Sequence, residues 1–136
     1  MPEFQSGSFA TSVRFVVDEI SRLCAGHTSD VTAVHDVGGG GLATALAEMA
    51  ATTNVGLDVV EPVEHAELFS EFPGRFVMAT SNPEAFGARC ACAGVPLLVL
   101  GIAGGDRVKI GAVELDVSEI ERRRRTALEE ALAPVD

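Results

Sequence analysis

Four consecutive glycines, Gly38-Gly39-Gly40-Gly41, constrain this chain more than any other feature. They follow a β-branched stretch, Val31-Thr32-Ala33-Val34, that reads as a strand. They lead directly into Leu42-Ala43-Thr44-Ala45-Leu46-Ala47-Glu48-Met49-Ala50, a good helix former. Glycine reaches backbone angles closed to other residues and lets the main chain approach a ligand. The first amides of a helix lack internal partners and carry the positive end of the macrodipole. Strand, glycine loop and helix N-terminus in that order form an anion cradle, and phosphate is its natural occupant.

A dinucleotide fingerprint is the rival reading of the same residues. Gly38, Gly40 and Ala43 fit G-x-G-x-x-A, and Asp58 follows about twenty residues on, near the end of the next strand. Four adjacent glycines satisfy many glycine patterns, however, and after Asp58 the chain does not continue as regular strand–helix units.

The 136 residues suit one domain with a core of its own, and 47% hydrophobic content supports a globular fold. A formal charge of −10 disfavours non-specific binding to nucleic acid or an anionic membrane, while leaving room for one basic pocket. No apolar run has the length of a membrane span, and residues 1–7 lack the pattern of a signal peptide, so a cytoplasmic protein is expected. Cys24, Cys90 and Cys92 form neither a disulfide framework nor a zinc motif and read as buried or half-buried thiols in a reducing compartment. No metal site is expected.

The periodicities predict a flexible lead-in over 1–9 and a domain over 10–136. Ser8 or Thr11 caps a helix to about Ala25. Strands are predicted at 31–36, 55–60, 74–80, 96–102, 107–110 and 113–115. Helices are predicted at 41–52, 83–93 and 119–132, with a short helix or turn over 63–70. Asn82 or Ser81 caps the helix that begins at Pro83, and Ser118 caps the last one. Tight turns join the last three strands, so the fold class is α/β (α+β), with a mixed sheet and helices packed on it.

Other residues stand out for their chemistry. His35-Asp36 sits where the first strand meets the glycines. Both side chains suit hydrogen bonding to a ligand, and His35 suits proton transfer near neutral pH. Equally, Asp36 suits a cap on the loop. His27 and His65 read as solvated loop residues. Glu71 and Arg75 flank a Pro73-Gly74 turn; either they pair, or Arg75 holds a phosphate or carboxylate. Arg122-Arg123-Arg124-Arg125 spreads around a helix within reach of Glu119, Glu121, Glu129 and Glu130, which reads as a solvated, ion-paired helix.

Taken together, these stretches resemble one family. His35-Asp36-Val37-Gly38-Gly39-Gly40-Gly41-Leu42-Ala43-Thr44-Ala45-Leu46-Ala47-Glu48-Met49-Ala50 is similar to the HD-x-S-x-GGL-x-x-AL-x-E-x-A segment of phosphoribosylformylglycinamidine synthases. Glu67-Leu68-Phe69-Ser70-Glu71 with Gly74-Arg75-Phe76-Val77 resembles their LFSE-x-x-GR segment. Gly94-Val95-Pro96 and Leu100-Gly101-Ile102-Ala103-Gly104-Gly105-Asp106-Arg107-Val108 resemble the stretch that ends in GGD, and Val117-Ser118-Glu119-Ile120 the start of their last helix. The order holds over about 12–133.

The resemblance points to the C-terminal domain of the aminoimidazole ribonucleotide synthetase-like superfamily and implies a three-layer mixed-sheet fold with partial ferredoxin-like topology. It implies a part of an ATP-dependent ligase that turns formylglycinamide ribonucleotide into the amidine. Gly39, Gly40, Gly41 and the Leu42 amide would take the substrate phosphate, with His35, Asp36, Glu71 and Arg75 lining the site. ATP and Mg are implied for the complete enzyme, bound mainly outside this chain. The implied partners are a phosphorylated ribonucleotide and an N-terminal ATP-binding domain or subunit, and a homodimer is allowed. The chain departs from the family in having Gly38-Gly39 where a polar pair such as Ser-Asp is usual, and it lacks the ATP-binding half. A non-catalytic nucleotide-sensing or assembly module of the same superfamily is the alternative.

Overall fold

A computed structural model of the chain describes residues 30–134. The predicted lead-in over 1–9, the helix to Ala25, Cys24 and His27 lie outside the described residues. The elements in chain order are β1 (Val31–Asp36), α1 (Gly41–Thr53), β2 (Leu57–Val59), α2 (His65–Phe69) and β3 (Phe76–Thr80). There follow α3 (Pro83–Ala93), β4 (Gly101–Ala103), β5 (Arg107–Ile110), β6 (Val113–Asp116) and α4 (Val117–Leu132). The fold is mixed α/β, with four helices and two small sheets among the described residues. The single mixed sheet read from the sequence is therefore divided.

The chain forms two compact units. The first contains residues 30–39 and Glu71–Leu98. Here β1 and β3 pair antiparallel, from Val31 opposite Thr80 to Asp36 opposite Phe76, with a register shift between Val31 and Ala33. Helix α3 buries Phe86 and Cys90 against Val31, Met78 and Val95. Its ends follow local chemistry: the Asn82 side chain accepts from the Ala85 amide at 3.1 Å, and Pro83 opens the first turn. Gly94 closes the helix in a left-handed conformation (φ 69°). Arg89 ties the helix to the start of β1: its Nη2 donates to both Asp30 carboxylate oxygens, at 2.9 and 3.1 Å. Burial pushes the Cys90 thiol up from its ordinary range, opposed by the Arg89 charge. Cys92 is exposed, contrary to the expectation of shelter, because it lies two residues along the helix and so on another face.

The second unit contains Gly40–Ser70 and residues 99–134. Its sheet runs β4-β2-β5-β6, with β2 parallel to β5 and the other pairs antiparallel. Ala50 of α1, Val108 of β5 and Val117 of α4 form its core, joined by Leu57, Ile110 and Ile120. Two glycines allow close strand approach here. A β-carbon on Gly101 would collide with the Asp58 carbonyl, and one on Gly56 with the Arg107 main chain.

Several element boundaries shift by one or two residues from the sequence reading, and two departures have a tertiary cause. The strand predicted over 96–102 is confined to Gly101–Ala103, because β2 is only three residues long and offers no further ladder. Beyond it, the Leu100 carbonyl accepts from Val60 and Glu61. Helix α4 begins at Val117, with Asp116 rather than Ser118 at the N-cap. Burial of Val117 and its amide bond to the Asp106 carbonyl (2.9 Å) set that start, a tertiary influence that local capping rules do not contain.

Candidate functional site

The ladder between β1 and β3 builds the site. Because the strands run antiparallel and pair Asp36 with Phe76, the end of β1 and the start of β3 leave the sheet side by side. One more main-chain bond, from the Val37 amide to the Arg75 carbonyl (2.9 Å), carries the pairing into the loops, and Val37 is buried beside it. Thus the first glycines and the Glu71–Arg75 turn converge, although more than thirty residues separate them in sequence. They enclose a pocket of about 400 Å³, lined by Asp36, Val37, Gly38, Gly39, Glu71, Pro73, Gly74, Arg75 and Phe76, all within the first unit. That volume is in the range of small-molecule sites.

Among the candidate residues, Asp36, Gly39, Glu71 and Arg75 line this pocket together. The ionisable side chains of the lining are therefore two carboxylates and one guanidinium, whose Nε is buried. His35 does not line it. Strand alternation sends it to the opposite face from Asp36, and its Nδ1 faces the Asp36 main-chain carbonyl. The pocket adds Val37, Gly38, Pro73, Gly74 and Phe76 to the candidates. Their signal in the sequence was the Pro-Gly turn between Glu71 and Arg75. Gly74 has φ 81°, and no β-carbon there would touch a neighbour, so the turn requires glycine for its backbone angle alone.

Gly40, Gly41 and Leu42 belong to the second unit. Gly40 precedes α1 with φ 84° and ψ −4°, the values of the third residue of a type II turn. A β-carbon there would strike the Thr44 side chain, whose hydroxyl donates to the Gly40 carbonyl at 3.1 Å. At Gly41 (φ 75°) a β-carbon would lie 2.7 Å from the Leu68 carbonyl oxygen and 2.8 Å from the Phe69 α-carbon, so the main chains of α1 and α2 meet there. Leu42 is buried. His65 opens α2 rather than lying in a loop; it is exposed, with its ring 4.9 Å from that of Phe69.

The dinucleotide reading does not survive the topology. It needs β1 and β2 side by side and parallel, whereas β1 pairs antiparallel with β3 and β2 lies in the other sheet. The arginine run forms ion pairs along α4 as expected. Glu119 receives Arg122 and Arg123, and Glu121 receives Arg124 and Arg125. No described helix is long and apolar enough to cross a membrane.

A mixed α/β chain whose glycine run and Glu-x-x-x-Arg turn enclose one pocket defines the class. Residues 11–113 match the family described as AIR synthase related protein, C-terminal domain, and the chain belongs to that family. Its relatives include subunit PurL of phosphoribosylformylglycinamidine synthase from Sinorhizobium medicae (strain WSM419), 45% identical over 86 residues, which are 60% of this chain and 12% of that protein. The subunits of the same name from Zymomonas mobilis and Methanothermobacter thermautotrophicus are each 36% identical. The matches cover 74% and 75% of this chain, and 14% and 15% of those proteins. The chain thus spans 12–15% of the length of these relatives.

Proposed function

We propose that this chain is the substrate-phosphate-binding part of an ATP-dependent purine-biosynthesis ligase of the phosphoribosylformylglycinamidine synthase type, which converts formylglycinamide ribonucleotide to formylglycinamidine ribonucleotide. One observation carries the reading: the two family segments, separated in sequence, together line one pocket that holds glycine main chain and an arginine. In this reading the main-chain amide of Gly39 serves the phosphate, and Asp36, Glu71 and Arg75 line the site. In the same reading the domain extends over 10–136.

The complete ligase uses ATP and Mg and acts in the cytoplasm, with an N-terminal ATP-binding domain or subunit as this chain's partner. Among the described residues, no three His, Cys, Asp or Glu side chains gather as ligands for a metal ion. What this chain contributes is orientation: a main-chain amide and a guanidinium hold one end of the ribonucleotide while the reacting amide is presented elsewhere.

Calorimetric titration of the chain with formylglycinamide ribonucleotide, ribose 5-phosphate and NAD tests the reading. Binding of the two phosphorylated ribose compounds, without ATP hydrolysis, is expected. Binding of NAD alone would overturn the proposal, and ATP hydrolysis by this chain alone would contradict the division of labour.

A further inference from the structure

Helix α4 runs on past the core it belongs to. Its first turn buries Val117, and Ile120 packs against the same core. At helical spacing that face continues to Ala127, Leu128, Ala131 and Leu132. There it is open: Leu128 is 69% exposed and Leu132 74%, and Ala127 and Ala131 are exposed with them. A single exposed leucine is ordinary, but two leucines one turn apart, on a stripe continuous with the core, form an unpartnered apolar face. The charges of this half of the helix lie in two blocks. Arg122–Arg125 come first, and Glu129 and Glu130 follow. Arg125 and Glu129 sit one turn apart on the same flank of the apolar stripe, and Glu121 already steadies Arg125 by accepting from its Nε at 2.6 Å.

We propose that the exposed half of α4 docks a second copy of this chain, the two helices packing antiparallel and crossing at Ala127. In that arrangement residues equally far before and after Ala127 lie at one level, so Arg125 of each copy meets Glu129 of the other. A parallel pair would instead set the arginine block against itself and the glutamates against each other. The small side chain of Ala127 lets the helices approach at the crossing, and Leu128, Ala131 and Leu132 are covered on both sides of it. The edge of β6 is the other route to a dimer, and its charges oppose it. Antiparallel pairing there, with both apolar faces kept on one side, sets Glu114 against Glu114 or Asp116 of the other copy. The helices overlap for only about three turns, short of the roughly 20–30 residues a side of a stable interface, so the dimer is weak and reversible. The pairing needs no ligand in the pocket.

Sedimentation equilibrium of the full chain tests this, over about 10–1,000 μM protein in about 150 mM NaCl, where the repulsion between two acidic chains is screened. The average mass should climb with concentration from the 14.2 kDa of one chain towards twice that value. Leu128→Glu, at an exposed position, should keep the wild-type circular dichroism and unfolding temperature and stay at the mass of one chain. Arg125→Glu and Glu129→Arg should each self-associate at least about fivefold more weakly than wild type, because each sets like charges against one another twice. An equimolar mixture of those two variants should associate again, since every facing pair is then opposite in sign. The mass of one chain at all concentrations would overturn the proposal and leave the face to another segment or a different protein. Wild-type association by Leu128→Glu, or a mixture no stronger than its two components, would overturn it as well.

Discussion

Gly87 and Gly101 both await a methyl group, and their surroundings set opposite outcomes. At Gly87, inside α3, a β-carbon would meet only Leu97 Cδ2, at an ordinary 3.7 Å. Gly87→Ala should therefore stabilise the chain by about 0.5–1 kcal/mol through helix propensity. At Gly101 the same methyl group runs into the Asp58 carbonyl, a backbone atom fixed by the β2–β4 ladder. Gly101→Ala should cost about 1–3 kcal/mol, the range for forcing extra volume into a filled space. Urea denaturation of both variants checks the pair; equal shifts would mean that the strands are not as close as described. Nothing in the sequence around either glycine distinguishes them. The difference lies in atoms forty-three residues away in one case (Asp58 against Gly101) and ten in the other (Leu97 against Gly87).

At the scale of elements, α3 and α4 are stabilised by different electrostatics. The Asp30–Arg89 pair holds α3 to β1, and Asp30 is only 13% exposed, so water competes weakly for it. Arg89 also lies over the Phe86 ring, 5.5 Å from its centre. Asp30→Ala should cost about 1–2 kcal/mol, read from the denaturation midpoint, with Asp30→Asn recovering part of that loss.

On α4 the ion pairs are at the surface. Hydrogen bonds from Arg122 and then Arg123 hold the Glu119 carboxyl down to about 2, from an ordinary value near 4.5. A depressed carboxylate contributes stability fully above its unfolded value and loses it as pH falls through the folded one. The stability difference between wild type and Glu119→Gln should thus be present near neutral pH and vanish as pH falls from 4.5 to about 2. Far-UV circular dichroism during denaturation at several pH values measures it; a difference that persists at the acid end would exclude the pairing. The helix and its partners were readable in advance from i,i+3 and i,i+4 spacing. Its N-cap was not, because burial of Val117 decides where the helix starts.

The whole chain carries a formal charge of −10, concentrated when it folds. Self-repulsion of that size is screened by salt, so the unfolding temperature should rise as NaCl goes from about 10 mM to about 150 mM. A scan in a non-phosphate buffer checks it, and a falling temperature would show that the surface ion pairs outweigh the net repulsion.

What the sequence determined by itself was local or cumulative. Asn82, Pro83 and Gly94 bound α3, the Ala- and Leu-rich stretch makes α1, and the ordered motifs reveal the family. These signals act over a few residues, or accumulate along the chain, and need no knowledge of what lies opposite. The tertiary structure alone decided which strands pair, how short β4 is, and which glycines meet backbone and which meet open space. It also brought Glu71 and Arg75 to Asp36, Gly38 and Gly39. Those outcomes depend on contacts between distant segments, where one residue's role is set by atoms that its own sequence neighbourhood does not contain.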